Sequence, residues 1–89
     1  MKDRYDDIDE YIGDLQAEIR TNDQCATHYY NLGVALLAKG DFVEAEEAFL
    51  SAVRNSPRLA EAYVQLGGLC LRRGDLDGCL RYNEEAANC

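Results

Sequence analysis

The chain has 89 residues, 47% hydrophobic and 29% charged, a balance that suits one folded domain with a small core and excludes a disordered segment. Its net charge of −8 and pI of about 4.4 argue against nucleic acid and against an anionic membrane surface, both of which call for a basic face. The first ten residues hold no apolar core of signal-peptide type, and no stretch approaches the ~20 apolar residues of a membrane span, so a cytoplasmic protein is expected.

Residues 1–25 form the acidic end, with eight acidic and three basic side chains; residues 26–59 net −1 and residues 60–89 net −2. This acid reads as the solvated face of a helix, with a steering patch for a basic partner as the alternative. The stretch DDIDEYIGD fails as a calcium loop, because its glycine does not fall sixth after a D-x-D start. From His28 the pattern is helical: Tyr29, Leu32, Leu36 and Leu37 share one face. Gly40-Asp41 then reads as a C-cap followed by an N-cap. Phe42, Ala45, Phe49, Ala52 and Val53 make the next apolar face, and Asn55-Ser56-Pro57 ends it. The same sentence follows again at a spacing of 34: Tyr29 and Tyr63, Leu32 and Leu66, Gly33 and Gly67, Gly40 and Gly74, Asp41 and Asp75. Each copy is thus helix–turn–helix, and Gly33 and Ala45 are expected to be small because the paired helices cross there, as Gly67 and Cys79 would in the second copy. Carried backwards, the frame aligns TNDQCATHYYNLG with NSPRLAEAYVQLG and makes residues 21–24 a turn between units. A helix from roughly Asp3 to Arg20 then stands where the second helix of a unit stands, with Ile8, Leu15 and Ile19 in the places of Phe42, Phe49 and Val53. Tyr11 falls where Ala45 does, a bulk tolerable only without a preceding partner helix.

A 34-residue period with these aromatic, Leu-Gly, Ala and Pro positions resembles the tetratricopeptide repeat. Counting Ala26 as position one, Tyr29, Leu32, Gly33, Leu36, Ala45, Phe49, Ala52 and Pro57 fall on signature positions of the first copy, with Leu36 in place of the usual Tyr. Counting again from Ala60, Tyr63, Leu66, Gly67 and Ala86 match, while Cys70, Cys79 and Asn83 replace a Tyr, an Ala and an aromatic. The resemblance implies an all-α, right-handed superhelix, or solenoid: an N-terminal helix or half-repeat in residues 1–25, a repeat in 26–59 and a shortened one in 60–89. The second copy is expected to be the softer, because Gly68 and Gly78 interrupt its helices and Asn83 replaces Phe49.

Stacked helix pairs bury their faces against neighbours and leave a concave surface lined by the first helix of each pair. By resemblance, that surface carries Thr27, Tyr30, Asn31, Val34, Leu37 and Ala38, then Glu61, Val64, Gln65, Gly68, Leu71 and Arg72. It is an apolar strip with one Tyr, two amides and one Arg, suited to an extended or helical peptide with aliphatic anchors. Tyr30 and Val34 stand where family members that clamp acidic chaperone tails carry Lys and Asn, so that ligand is not expected. The alternative is that Val34, Leu37, Val64 and Leu71 simply belong to the core.

No catalytic constellation is visible, and no cofactor is implied. Cys25 and His28 are three apart, but Cys70, Cys79 and Cys89 supply no second ligand pair for zinc. Cys70 and Cys79 read as small buried hydrophobes. The expected function is therefore a non-enzymatic protein–protein interaction scaffold that binds a protein or peptide. Two other readings stand beside it: self-association through the apolar stripe of residues 76–89, where Leu76, Leu80 and Ala87 recur, and a thiol-based redox or metal sensor.

Overall fold

The polypeptide leaves its first helix at Thr21 and reverses direction four times in all before Cys89. The computed structural model describes residues 7–89 and contains α1 (Ile8–Thr21), α2 (Ala26–Lys39), α3 (Phe42–Asn55), α4 (Ala60–Arg72) and α5 (Leu76–Ala87). All regular structure among the described residues is helical. Asp7 caps α1 by accepting a hydrogen bond from the Asp9 N–H at 2.9 Å, so the helix opens later than the expected Asp3; residues 3–6 lie outside the described residues.

The repeated Gly-Asp turn closes α2 and α4 in the same way. Gly40 and Gly74 alone among the described residues have positive φ, at 92° and 83°. The Asp41 N–H donates to the Leu36 carbonyl at 2.9 Å, and the Asp75 N–H donates to the Cys70 carbonyl at 2.8 Å. This six-residue closure requires a left-handed residue that glycine supplies without strain. The caps that follow differ. Asp75 accepts from the Gly78 N–H at 2.9 Å, whereas Asp41 makes no side-chain cap and its carboxylate stands 3.7 Å from Lys39 Nζ. At the other junctions Asn22 caps the end of α1, and Ser56, just before Pro57, caps the end of α3. The Tyr29 hydroxyl donates to the Asp23 carbonyl at 2.8 Å and ties the first of these turns to α2.

Packing is sequential. The closest pairs are α2 with α3 and α4 with α5; α1 lies on α2 and α4 on α3. Packing chiefly between neighbours is the signature of a solenoid, and the molecule is elongated, 40 × 26 × 22 Å. One core runs through the stack, from Ile12 through Leu36, Ala45, Phe49 and Ala52 to Ala62, Leu66 and Leu69. Phe49, Leu66 and Cys70 are its largest fully buried side chains.

Four details depart from the sequence reading. A methyl group on Gly33 would meet the Phe49 ring at 2.6–2.8 Å, so the glycine makes room first of all for that ring, which the sequence reading did not name. In the second pair, the Cβ that Gly67 lacks would face the Asn83 amide at 3.0 Å and the Cys79 carbonyl at 3.5 Å. Gly78 is a packing requirement, since a methyl there would collide with the Asp75 carboxylate and stand 2.8 Å from Cys70 Sγ. Ile12 is buried while Ile8 is 36% exposed, so α1 turns a slightly different face inward than its counterpart in α3. Tyr11 is half-buried against the core, and Leu15 is buried as its register requires. Within the second copy, sparse burial is confined to α5. Helix α4 buries Ala62, Leu66, Gly67, Leu69 and Cys70, but α5 buries Gly78 alone. Tyr82, beside Asn83, partly replaces the missing aromatic: it packs against the core with its ring 6.5 Å from that of Tyr63.

Candidate functional site

Helices α2 and α4 carry the twelve expected groove positions, and α3, packed against both, fixes their spacing. None of the twelve is buried. Thr27, Val34, Ala38, Glu61, Val64, Gly68, Leu71 and Arg72 are exposed, and Tyr30, Asn31, Leu37 and Gln65 are half-buried. The apolar members Val34, Val64 and Leu71 expose 39%, 54% and 56% of their surface. Aliphatic side chains standing in water on ordered helices do little for the fold that holds them. Tyr30 has a packing role as well, its ring lying 5.7 Å from that of Phe49 at 59°. Leu37 likewise packs partly against the core.

Arg72 does not project freely. Its guanidinium carbon stands 3.8 Å from the centroid of the Phe42 ring, a cation–π contact across the α3–α4 junction. Beside it, Arg73 donates to the Glu46 carboxylate, and this bond holds the guanidinium above its ordinary pKa. The two arginines, Phe42, Val43, Glu46 and Leu69 line a cavity of about 300 Å³. The sequence reading missed it. Its one signal was Val43, an apolar residue among Glu44, Glu46 and Glu47 that stays 76% exposed. A broader depression of about 440 Å³ lies over α2 and α3, lined by Tyr29, Leu32, Leu36 and Ala48 together with Gln16, Glu44, Glu47 and Ser51.

The cysteines are free thiols. Cys70 is buried, Cys25 and Cys79 are half-buried and Cys89 is exposed. Burial pushes the Cys70 thiol up from its ordinary value, which disfavours the reactive thiolate. His28 Nε2 lies 3.2 Å from the Glu18 carboxylate, and its Nδ1 is buried without a partner. Among the described residues no three His, Cys, Asp or Glu side chains gather in a way that could hold a metal ion. No described helix is long and apolar enough to cross a membrane.

A sequential stack of helix pairs, closed by a Gly-Asp turn recurring every 34 residues, defines a helical repeat protein. The sequence profile of the Tetratricopeptide repeat family matches residues 12–60, from within α1 to the start of α4, and the chain belongs to that family. It is similar to tetratricopeptide repeat protein 8 of Caenorhabditis elegans, 39% identical over 57 residues, which cover 64% of this chain and 11% of that protein. The chain thus corresponds to about 11% of the length of that relative. Tetratricopeptide repeats generally mediate protein–protein interaction and are typically non-catalytic scaffolds.

Proposed function

We propose that the chain is an interaction module that takes an extended or helical segment of a partner protein along α2 and α4. The observation that carries this reading is the exposure of Val34, Val64 and Leu71 on the same two helices as the Asn31 and Gln65 amides. Aliphatic anchors of the partner would lie on the valines and the leucine, and the amides would bond its backbone. In this reading residues 1–25 supply a half-repeat whose helix α1 supports α2, residues 26–59 are the first full repeat and residues 60–89 the second.

Selection of a peptide from a random library against the full chain tests it. Val64→Glu should weaken the selected peptide at least about tenfold, the signature of a lost central anchor. Because Val64 is exposed, the thermal unfolding of the variant should match that of the parent. Peptides that bind Val64→Glu and Val34→Glu as tightly as the parent chain would show that the groove lies elsewhere.

A second reading, self-association through residues 76–89, is favoured by one observation: Leu76 and Leu80 stand open to solvent. Sedimentation of the reduced chain across a concentration series tests it, with a concentration-dependent mass as the supporting result.

A further inference from the structure

Val64, Gly68 and Arg72 follow one another at intervals of four along α4, so they share one face, with Leu71 beside them; all four are exposed. Gly68 has no packing reason of its own, since nothing lies within 4 Å of the Cβ it lacks. A glycine inside a helix costs about 1 kcal/mol relative to alanine, and its remaining use here is to let another backbone come close. One turn beyond it, the Arg72 guanidinium lies over the Phe42 ring. The ring holds the head in place but brings no anion. The carboxylate nearby, Glu46, is taken by Arg73, and Asp75 stands 3.9 Å from Arg73 Nη2. Arg72 has no ion pair among the described residues. It lines the cavity of about 300 Å³ whose apolar walls include Phe42, Leu69 and the exposed Val43.

We infer that Arg72 selects one internal Asp or Glu side chain of the partner segment lying along α4, a specificity position that rests on the groove reading above. The planar guanidinium is a fork matched to a carboxylate, and a head already held by a ring loses little freedom when it binds one. The hydrocarbon stem of the acid would lie against Val43 and relieve its exposure. Ligand pockets hold roughly 300–1,000 Å³, so this cavity, at the lower end, suits one side chain. The geometry also fixes where the acid falls. From Val64 to Arg72 the helix axis rises about 12 Å, which an extended segment spans in about four residues and a helical one in about eight. The net charge of −8 favours basic partners, but salt screens it beyond about 8 Å, so at contact Arg72 prevails. An acidic preference at one fixed distance from an aliphatic anchor therefore cannot arise from the overall charge.

The test selects a displayed library of about sixteen random residues, long enough for either spacing and flanked on both sides by fixed linkers. Selection runs in parallel on the reduced full chain and on its Arg72→Gln variant. Peptides from the parent chain should carry Asp or Glu at one of these two distances from an aliphatic residue, and peptides from the variant should not. The tightest parent-selected peptide should lose affinity about three- to tenfold on Arg72→Gln, and equally when its acid is replaced by the amide. The two changes together should cost no more than either alone, since they remove one contact. Arg72 is exposed, so circular dichroism should report unchanged helix content in the variant. Peptides that depend on Val64 yet carry no acid at these distances would overturn the inference and leave the groove reading standing. So would an Arg72→Gln loss that is the same with and without the acid. Peptides indifferent to Val64→Glu would overturn both.

Discussion

The Phe49 ring occupies the space that a side chain on Gly33 would need. An added Cβ would stand 2.6, 2.7 and 2.8 Å from three ring carbons, and Phe49 itself has no exposed surface into which it could retreat. Even the smallest substitution should therefore force α2 and α3 apart. Gly33→Ala is expected to destabilise the chain by about 1–3 kcal/mol despite the better helix propensity of alanine. Gly68, on α4, is the contrast, because nothing lies within 4 Å of its missing Cβ. Gly68→Ala should stabilise by up to about 1 kcal/mol. Urea unfolding of the two variants reads both effects; a Gly33→Ala chain as stable as the parent would mean that α2 and α3 do not cross this closely.

Gly78 presents the opposite correction to its propensity. It sits in the first turn of α5, where alanine would normally be preferred, yet its N–H donates to Asp75 and its α-carbon faces the Asp75 carboxylate and Cys70 Sγ. Gly78→Ala should lose that cap and press on the buried thiol, at a cost of about 1–2 kcal/mol. Combining it with Asp75→Ala should be clearly less than additive, because both changes remove the same hydrogen bond. Additive losses in the double variant would show that the cap and the crowding are separate effects.

Amide exchange should grade along the stack. Helix α3 buries Ala45, Ala48, Phe49 and Ala52, and it lies between α2 and α4. Helix α5 buries only Gly78 and is packed chiefly on α4. Solenoid units gain stability from neighbours on both sides, so the least covered helix opens most readily. Protection is expected to be greatest between Leu32 and Cys70 and least after Leu76. Equal protection in α3 and α5 would contradict a graded stack.

The five helices were legible because their punctuation is chemical. Gly40 and Gly74 are forced by left-handed closures, Pro57 bars continuation of α3, and the recurrence at 34 ties one copy to the other. Side chains were less legible where register alone assigned them. Ile12 was overlooked because its counterpart in the better-matching copy is the charged Glu46, although α1 is rolled enough to bury it. Tyr82 was overlooked because the expected aromatic position holds Asn83, and the neighbouring ring reaches the core from one residue away. None of the twelve positions expected to line a groove is fully buried, although Tyr30 and Leu37 pack partly against the core, a double role that spacing alone does not reveal. The cavity at Phe42, Val43 and Arg72 was not readable, since it forms where ends of helices from different copies meet and depends on how two arginine side chains fold back.

Alkaline conditions should weaken the fold, beginning with Cys70. Burial is the main reason its thiol lies above the ordinary value of 9.0; the nearby Arg73 guanidinium acts the other way and does not win. Tyr63 and Tyr82 are raised above 10.0, again chiefly by burial. For each group the folded chain holds its proton to higher pH than the unfolded chain does. Stability is therefore fully present below the unfolded value and falls as the pH climbs from there through the folded one. Urea midpoints of the reduced chain should be flat from pH 7 to 8 on this account, decline from about pH 9, and decline more steeply from about pH 10 as the tyrosines join. Cys70→Ala removes the first of these slopes and leaves the second, whatever its effect on stability at neutral pH. Asp75→Asn, which changes a carboxylate beside the thiol, should shift the onset far less than Cys70→Ala does, because burial outweighs that charge. A Cys70→Ala chain that loses stability between pH 8 and 10 as steeply as the parent would show that the buried thiol is not what the alkaline fold has to deprotonate.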